Sequence, residues 1–432
     1  MTIPLLISCT TVVCMITSVL LKPNITIGRV KIGLYWLICA VGALCMICFG
    51  GVSIKSAING ITANTIVNPL KILTLFLSMA LLSIFLGDAG FFYLIANKVF
   101  SRGKNAGKKL FLLLYLAVSV LTVFTSNDIV ILTFTPPICI FAKKAKISPI
   151  PYLIGEFVAA NTWSMALIIG NPTNIYLAQT AGVSFWQYFA TMCIPTIVGG
   201  AVSLALLLLI FNKKLSKTPM QDNQPSQQVE LDKPAMIVAI ILLLATIITL
   251  SISDIFNLES WKICLFFAIL LTAFNLIYNL VKHKNIVRVV NSIKKAPYEL
   301  IPFIISMFVI VLGLENCNLT NYLCNLLITG EKFDALSFTF LSAGSANLLN
   351  NIPMSVLFEK IINAKSYYAL FGAIAGSNIG AFITPVGALA GIMWNKIIGE
   401  YDVKLSFAKF VLYGIIIAIP TLFVTGLTFA LI

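Results

Sequence analysis

Four stretches of this chain set hydroxyl and amide side chains inside otherwise apolar sequence. They are Thr125-Ser126-Asn127-Asp128; Gly170-Asn171-Pro172-Thr173-Asn174; Asn347 to Pro353, which carries Asn350 and Asn351; and Gly376-Ser377-Asn378-Ile379-Gly380, followed by Thr384-Pro385-Val386-Gly387. Side-chain oxygens of this kind, with carbonyls freed where Pro172 interrupts a helix, can coordinate a hard cation such as sodium. Helix ends left open at the same points add peptide dipoles that bind ions without a charged cage. The candidate substrate- and ion-binding residues are therefore Thr125, Ser126, Asn127, Asp128, Gly170, Asn171, Thr173, Asn174, Asn350, Asn351, Ser377, Asn378 and Thr384, with sodium assigned to Asn127, Asn174, Asn351 and Asn378. The same amides would also cap buried helix ends. Capping and binding are compatible roles.

Asp128 is the only acid in these stretches. An ionised carboxylate at membrane depth is costly, and one that gains and loses a proton or a sodium ion as a site opens can couple two fluxes. Asp88 and Glu156 also lie in apolar segments, where an acid either serves a site or is paired within the scaffold. Glu299, Glu315 and Glu359 fall near span ends and read as interfacial.

The elements that carry the four stretches follow from run length. Leu110–Phe124 and Ile129–Ala142 are apolar legs of about 14 residues, short of the roughly 20 that cross a hydrocarbon core. They flank the first polar tip as a re-entrant hairpin over 110–142, which must be lined by protein or by a water-filled cavity. Lysine-rich segments at both of its ends place entry and exit on one face. A second pair of short legs, 333–349 and 352–362, forms a hairpin around Asn350 and Asn351. The span over 151–180 is broken at Gly170–Asn174, and another is broken between Gly376 and Gly387.

Composition fits this reading. With 59% apolar and 10% charged residues and a mean hydropathy of +1.00, the 432 residues describe a membrane protein rather than a soluble one. The net charge of +14 does not point to nucleic acid, because the basic residues sort by loop. If the segment after the first span is cytoplasmic, only Lys55, Lys71, Lys262, Lys332, Lys360 and Lys365 of the 29 fall on the other side. Both termini are then external. Spans are expected at 3–21, 33–54, 70–98, the last long and interrupted by Gly87-Asp88-Ala89-Gly90, and at 187–211, 234–253, 261–280, 298–315 and 410–431 besides the two broken ones.

The predicted fold is an all-α polytopic membrane protein with an inverted repeat: about ten transmembrane helices, two re-entrant hairpins and two broken helices. The first repeat covers 1–211 with a cytoplasmic-side hairpin. A cytoplasmic linker covers 212–233, and the second repeat covers 234–432 with an external-side hairpin. The segment 282–297 reads as an interfacial amphipathic helix. Most of the ten cysteines read as packing residues, Cys317 and Cys324 flank a predicted external segment where they could pair, and the lone His283 reads as a solvated loop residue. Neither metal-binding His/Glu spacing nor a Ser/Lys pair suggests an enzyme, and no GxxxxGK[ST] loop binds nucleotide.

With these residues in hand, the chain resembles the arsenical-pump membrane protein family (ArsB/NhaD type) of the ion-transporter superfamily. The likeness runs nearly end to end, through LFLSMALLSIFLGDAGFF at 75–92, SNDIVILTFTP at 126–136, LLNNIPMSVL at 348–357 and GSNIGAFITPVGALAGIMW at 376–394. A wider likeness to sodium-coupled dicarboxylate transporters rests on SND at the first tip and GNPTN at the first break. In that group tips and breaks hold substrate and sodium, which the resemblance carries to Ser126, Asn127, Asp128, Gly170, Thr173, Asn174, Asn350, Asn351 and Asn378. It implies an ion-coupled secondary transporter of the cytoplasmic membrane, working by alternating access, with arsenite or antimonite efflux favoured. Sodium-coupled carriage of a carboxylate or other anion, and sodium/proton antiport, are the alternatives. Beyond a sodium ion or proton as coupling ion no cofactor is implied. Its partners would be the lipid bilayer and a small inorganic substrate, with room for a homodimer and for a separate ATPase subunit. Two features depart from the arsenite carriers: Asn378 stands where they tend to carry aspartate, and they lack the GNPTN form of the first break.

Overall fold

The computed structural model describes residues 2–21, 24–27, 30–64, 68–103, 106–216, 231–253, 255–282, 286–362 and 365–431. His283 and most of the linker 212–233 lie outside them. Helices α1 (Thr2–Leu21) and α2 (Leu34–Cys48) are joined through a two-stranded antiparallel sheet, β1 (Asn24–Ile27) and β2 (Val30–Gly33), paired from Asn24↔Gly33 to Ile27↔Val30. This sheet is an addition to the expected all-α fold. Its strands have four residues each, too short to register as apolar runs. A short helix, α3 (Ile54–Thr62), follows.

The single span expected over 70–98 is two helices, α4 (Pro69–Asp88) and α5 (Phe91–Arg102). Gly90 between them sits at φ +92°, a conformation that ends the helix. The turn is held by Lys295, whose ammonium lies 2.5 Å from the Asp88 carboxylate, and by Arg288, which donates to the Asp88 carbonyl at 3.0 Å. Both bases lie in the expected amphipathic segment, which forms a short helix over Val287–Lys294, with Arg288 in its first turn, Lys295 just past its end, and Val289 and Ser292 buried.

The remaining helices, with that short one as α13, are α6 (Gly107–Phe124), α7 (Asn127–Lys144), α8 (Ile150–Trp163), α9 (Pro172–Thr180), α10 (Phe185–Ser216), α11 (Lys233–Ser251), α12 (Ser260–Val281), α13, α14 (Leu300–Asn316), α15 (Leu319–Leu327), α16 (Phe333–Leu349), α17 (Asn351–Ile362), α18 (Tyr367–Gly380), α19 (Leu389–Glu400) and α20 (Phe407–Leu431). Among the described residues six of these, α4, α6, α10, α11, α12 and α20, are long and apolar enough by length and composition to cross a membrane. The pair α14 and α15 passes the same test together but bends by 79°. The protein is thus an all-helical polytopic membrane protein, apart from the small sheet. All ten cysteines are free.

The two legs around the first tip are 18 residues each, longer than the apolar runs alone, because Gly107 to Lys109 extend α6 and Lys143 and Lys144 extend α7. Polar ends therefore hid part of each helix. Glu259 accepts from Lys262 and Lys71, each at 2.6 Å, tying α12 to α4, and these bonds lower its carboxyl to about 2.

Helix neighbours recur in mirrored pairs: α2 with α14 and α12 with α4; α6 with α8 and α16 with α18; α7 with α19 and α17 with α9. The closest approach is α16 against α18, where Gly372, Gly376 and Gly380 form a small-residue seam of the kind that lets helix backbones meet in a membrane. A Cβ on Gly376 would stand 2.0 Å from the Thr339 carbonyl oxygen. Gly344, on α16 itself, has open space instead. Gly376→Val is therefore expected to cost at least about 1–3 kcal/mol through overpacking, while Gly344→Ala should be neutral or slightly stabilising. Thermal unfolding of the purified variants in detergent checks the contrast; equal melting temperatures would contradict it.

Candidate functional site

Each interruption exposes peptide groups inside the helical bundle, and the sequence places amides beside each one. Between α6 and α7 the chain extends for two residues, Thr125 and Ser126, before α7 starts at Asn127. Between α8 and α9 two single 3-10 turns, Ser164–Ala166 and Ile168–Gly170, lead to Asn171, whose side chain caps α9 by accepting from the Thr173 N–H at 3.0 Å. Pro172 starts α9, where its missing N–H costs nothing. A Cβ on Gly170 would lie 2.1 Å from the Ser164 carbonyl oxygen, which accounts for glycine there.

At the second tip the break is one residue, Asn350, at φ +76°. A non-glycine residue in that region stores strain of about 1–3 kcal/mol and needs its surroundings to hold it. Those surroundings come from the second break. Asn350 donates Nδ2–H to the Val386 carbonyl at 3.0 Å, and the Asn351 N–H donates to the Gly387 carbonyl at 3.1 Å. Asn347 completes the latch: its Nδ2 donates to Gly380 O at 2.8 Å, and its Oδ1 accepts from the Thr384 N–H and hydroxyl at 3.0 and 2.7 Å.

The two breaks meet at Asn378, which is fully buried. Its Oδ1 accepts from Ser164 Oγ at 2.7 Å and from Asn171 Nδ2 at 3.0 Å, while its Nδ2 donates to Asn174 Oδ1 at 2.7 Å and to Ile374 O at 2.8 Å. All of the amide's bonding capacity is used. Asn174 in turn donates to Ser164 O at 2.8 Å and to Leu167 O at 3.2 Å, the latter also accepting from the Gly170 N–H at 3.1 Å. The first tip joins through Asn127, whose Nδ2 donates to Asn161 Oδ1 at 3.1 Å.

The structure thus ties Asn171, Asn174 and Asn378 into one cluster, links Asn127 to α8 close to it, and fastens Asn350, Asn351 and Thr384 to one another's segments. Thr125 and Ser377 turn back onto their own helices, donating to Leu121 O at 2.7 Å and Ile374 O at 2.9 Å. Asp128, in the first turn of α7, is partly buried and makes no hydrogen bond or ion pair with the described residues. Several oxygens of the predicted set are buried without a hydrogen-bond partner: Ser126 Oγ, Asn127 Oδ1, Thr173 Oγ1, Asn350 Oδ1 and Asn351 Oδ1. Buried polar atoms of this kind call for an explanation. Among the described residues no three His, Cys, Asp or Glu side chains converge, so a cation here would be met by neutral oxygens.

Asn161, Ser164 and Asn347 belong to the cluster and were not among the candidates. Asn347 lies inside the quoted tip motif, and Asn161 and Ser164 sit one and four residues beyond the apolar pair Ala159-Ala160, near the end of α8. Polar residues one turn before a break were the available signal.

Residues 12–367 match the family model described as citrate transporter. The chain belongs to the citrate transporter family. Among curated relatives, an arsenical pump membrane protein of Escherichia coli is 24% identical over 361 residues, covering 80% of this chain and 82% of that protein. The arsenical pump membrane protein of Yersinia enterocolitica is 25% identical over 360 residues, with 80% and 82% covered. A 46 kDa membrane protein of Mycobacterium leprae is 22% identical over 368 residues, covering 78% and 80%. Among solved structures the YdaH transporter of Alcanivorax borkumensis shares the fold, with a TM-score of 0.59 at 12% identity over 99% of this chain and 97% of that one. This citrate transporter family member is accordingly a membrane transporter and not an enzyme.

Replacing the central amide tests the cluster. Asn378→Leu would strand Asn171 Nδ2 and Asn174 Oδ1, while Ser164 Oγ keeps the Asn161 carbonyl at 2.7 Å; at about 1–3 kcal/mol for each stranded group, a loss of at least about 2 kcal/mol is expected. Asn378→Asp keeps the acceptor for Ser164 and Asn171 and should fall between Leu and wild type. Thermal melts that rank Leu equal to wild type would refute the assignment.

Proposed function

We propose that this protein is an ion-coupled secondary transporter of the cytoplasmic membrane that moves arsenite or antimonite out of the cell by alternating access. The observation that carries the reading is the set of unpartnered buried oxygens at both tips and at the first break, beside amides that lock the two breaks together. Arsenous and antimonous acids are small, uncharged polyhydroxy species at neutral pH. A pocket of amide and hydroxyl groups exchanges hydrogen bonds with such a solute without the desolvation of a full charge. The names of the relatives point to the same substrate.

The mirrored helix pairs support an inverted repeat with re-entrant hairpins, cytoplasmic at 110–142 and external at 333–362, and with both termini outside. Each hairpin leg that follows a tip packs on the far arm of the other half's broken helix, α7 on α19 and α17 on α9. A movement of one hairpin would therefore displace the opposite break. Asp128, on the first turn of α7 and free of internal partners, is the group placed to take up the coupling ion, a proton or sodium.

One observation favours a second reading. The amide at 378 leaves the joined breaks without a carboxylate, and the amino termini of α7, α9 and α17 all start at the tips or the first break, where peptide N–H groups favour an anion. Sodium-coupled carriage of a carboxylate, in line with the family description, follows from that.

Proteoliposomes loaded with the purified protein separate the two. The first reading expects arsenite accumulation driven by an imposed ion gradient and no citrate or succinate movement; no arsenite flux under any proton or sodium gradient eliminates it. Asp128→Asn is expected to abolish gradient-driven flux with a melting temperature near that of wild type. Wild-type flux in that variant would remove Asp128 from the mechanism.

A further inference from the structure

Glu156 is a second acid within the bundle, and the bonding of the tips and breaks does not use it. It lies in the middle of α8, where every residue from Pro151 to Thr162 is buried, and its own exposure is 0%. Three helices meet around it. Thr135 of α7 places Oγ1 at 3.0 and 3.1 Å from the two carboxyl oxygens, and the Trp394 indole of α19 faces the same carboxyl with no hydrogen-bond partner for its N–H. The Cys139 thiol of α7 also faces it. Among the described residues no lysine, arginine, histidine or second carboxylate bears on it from α6, α7, α10, α18 or α19.

The hydrogens around this carboxyl can be counted. Thr135 Oγ1 lies 2.6 Å from the Ile131 carbonyl, the shorter of its contacts, and a hydroxyl has one hydrogen to give. Spent on Ile131 O, it leaves Thr135 Oγ1 able only to accept from Glu156. A carboxyl can donate only when protonated. The alternative is an ionised carboxylate with no cation beside it, met only by a shared hydroxyl hydrogen and by the Trp394 indole N–H that faces it, and burial penalises an uncompensated charge of that kind heavily.

We infer that Glu156 is a proton-binding site of the transporter, held as the neutral acid while α7 and α19 close on it and able to release its proton to solvent when they part. The inference rests on the ion-coupled reading above. Its location gives it leverage on the site, because all three helices around it end there. Asn127 begins α7, Asn161 lies near the end of α8, and α19 follows the loop that latches Asn350 and Asn351. Counting along the helices at 1.5 Å per residue, Glu156 is about 7 Å behind Asn161 and Thr135 about 12 Å behind Asn127. Pro136 and Pro137 directly follow Thr135 and remove two helical hydrogen bonds, a weak point at which α7 can bend away from the acid.

The test uses the full-length purified protein in lipid. Infrared spectra of wild type minus Glu156→Gln at neutral pH are expected to show the carbonyl stretch of a protonated carboxylic acid, with similar melting temperatures for the two proteins. Arsenite uptake driven by a pH gradient should fall in Glu156→Gln to its level without a gradient and recover in part in Glu156→Asp. Identical spectra in the acid carbonyl region would overturn the inference, as would loss of that band with gradient-driven uptake intact. Should the wild type carry no arsenite, the substrate reading fails by itself, and the infrared band alone decides whether Glu156 holds the proton.

Discussion

Peptide groups bared where a helix stops inside a membrane have no water to bind, and this protein satisfies them with side-chain amides. Asn174 takes the carbonyls of Ser164 and Leu167, Asn347 takes that of Gly380, and Asn350 that of Val386. Asn378 has a different duty, since its partners are mostly other side chains, and those come from the other break. Because a buried amide left half-bonded costs more than the bonds contribute when made, the two breaks are held in one geometry or must change it together.

The same bundle that holds these breaks contains a tightly packed seam. The glycine seam of α18 on α16 leaves no room for sliding, so the second hairpin's first leg and the first arm of its broken helix move as one piece. The helices that follow the two tips pack elsewhere, α7 on α19 and α17 on α9, so each meets the helix that follows the break far from it in sequence. Glu156 sits on one such crossing. The scaffold is held separately, by a second core cluster around Tyr35, Phe303 and Met307 and by ion pairs at Asp88 and Glu259. A molecule divided in this way has a natural place to hinge, between a packed frame and a bundle whose polar centre is already interlocked.

Much of this was legible in the sequence because membrane segments announce themselves by composition, and an interruption inside one is conspicuous. The breaks at Thr125–Ser126, Asn350 and 381–388 fall at expected tips or breaks, while the first break runs over 164–171 and so begins six residues before the expected Gly170–Asn174. Three kinds of feature were hidden. Helix ends made of charged residues, such as Lys108 and Lys144, fell outside the apolar runs, so α6 and α7 were read short. Gly90 marked an interruption at 87–90, yet only its backbone conformation turns that into the end of a helix, so α4 and α5 were joined. Bond direction is the third: Ser377 and Asn378 are equivalent as letters, but on α18 one side chain bonds back to Ile374 O while the other reaches α9 and the first break. Asn161 and Ser164 lie nine and six residues before Gly170, where the motif begins, so nothing in its letters included them.

The claim on which the rest depends is that the tips and the interlocked breaks line a single binding place. A density map of the protein bound to its transported solute, with arsenic or antimony located by anomalous scattering, measures this directly. The account predicts a peak in contact with side-chain oxygens of Asn127 and Asn351 and bordered by the cluster around Asn378. A peak at another place in a protein that transports arsenite, touching none of these residues, would contradict it.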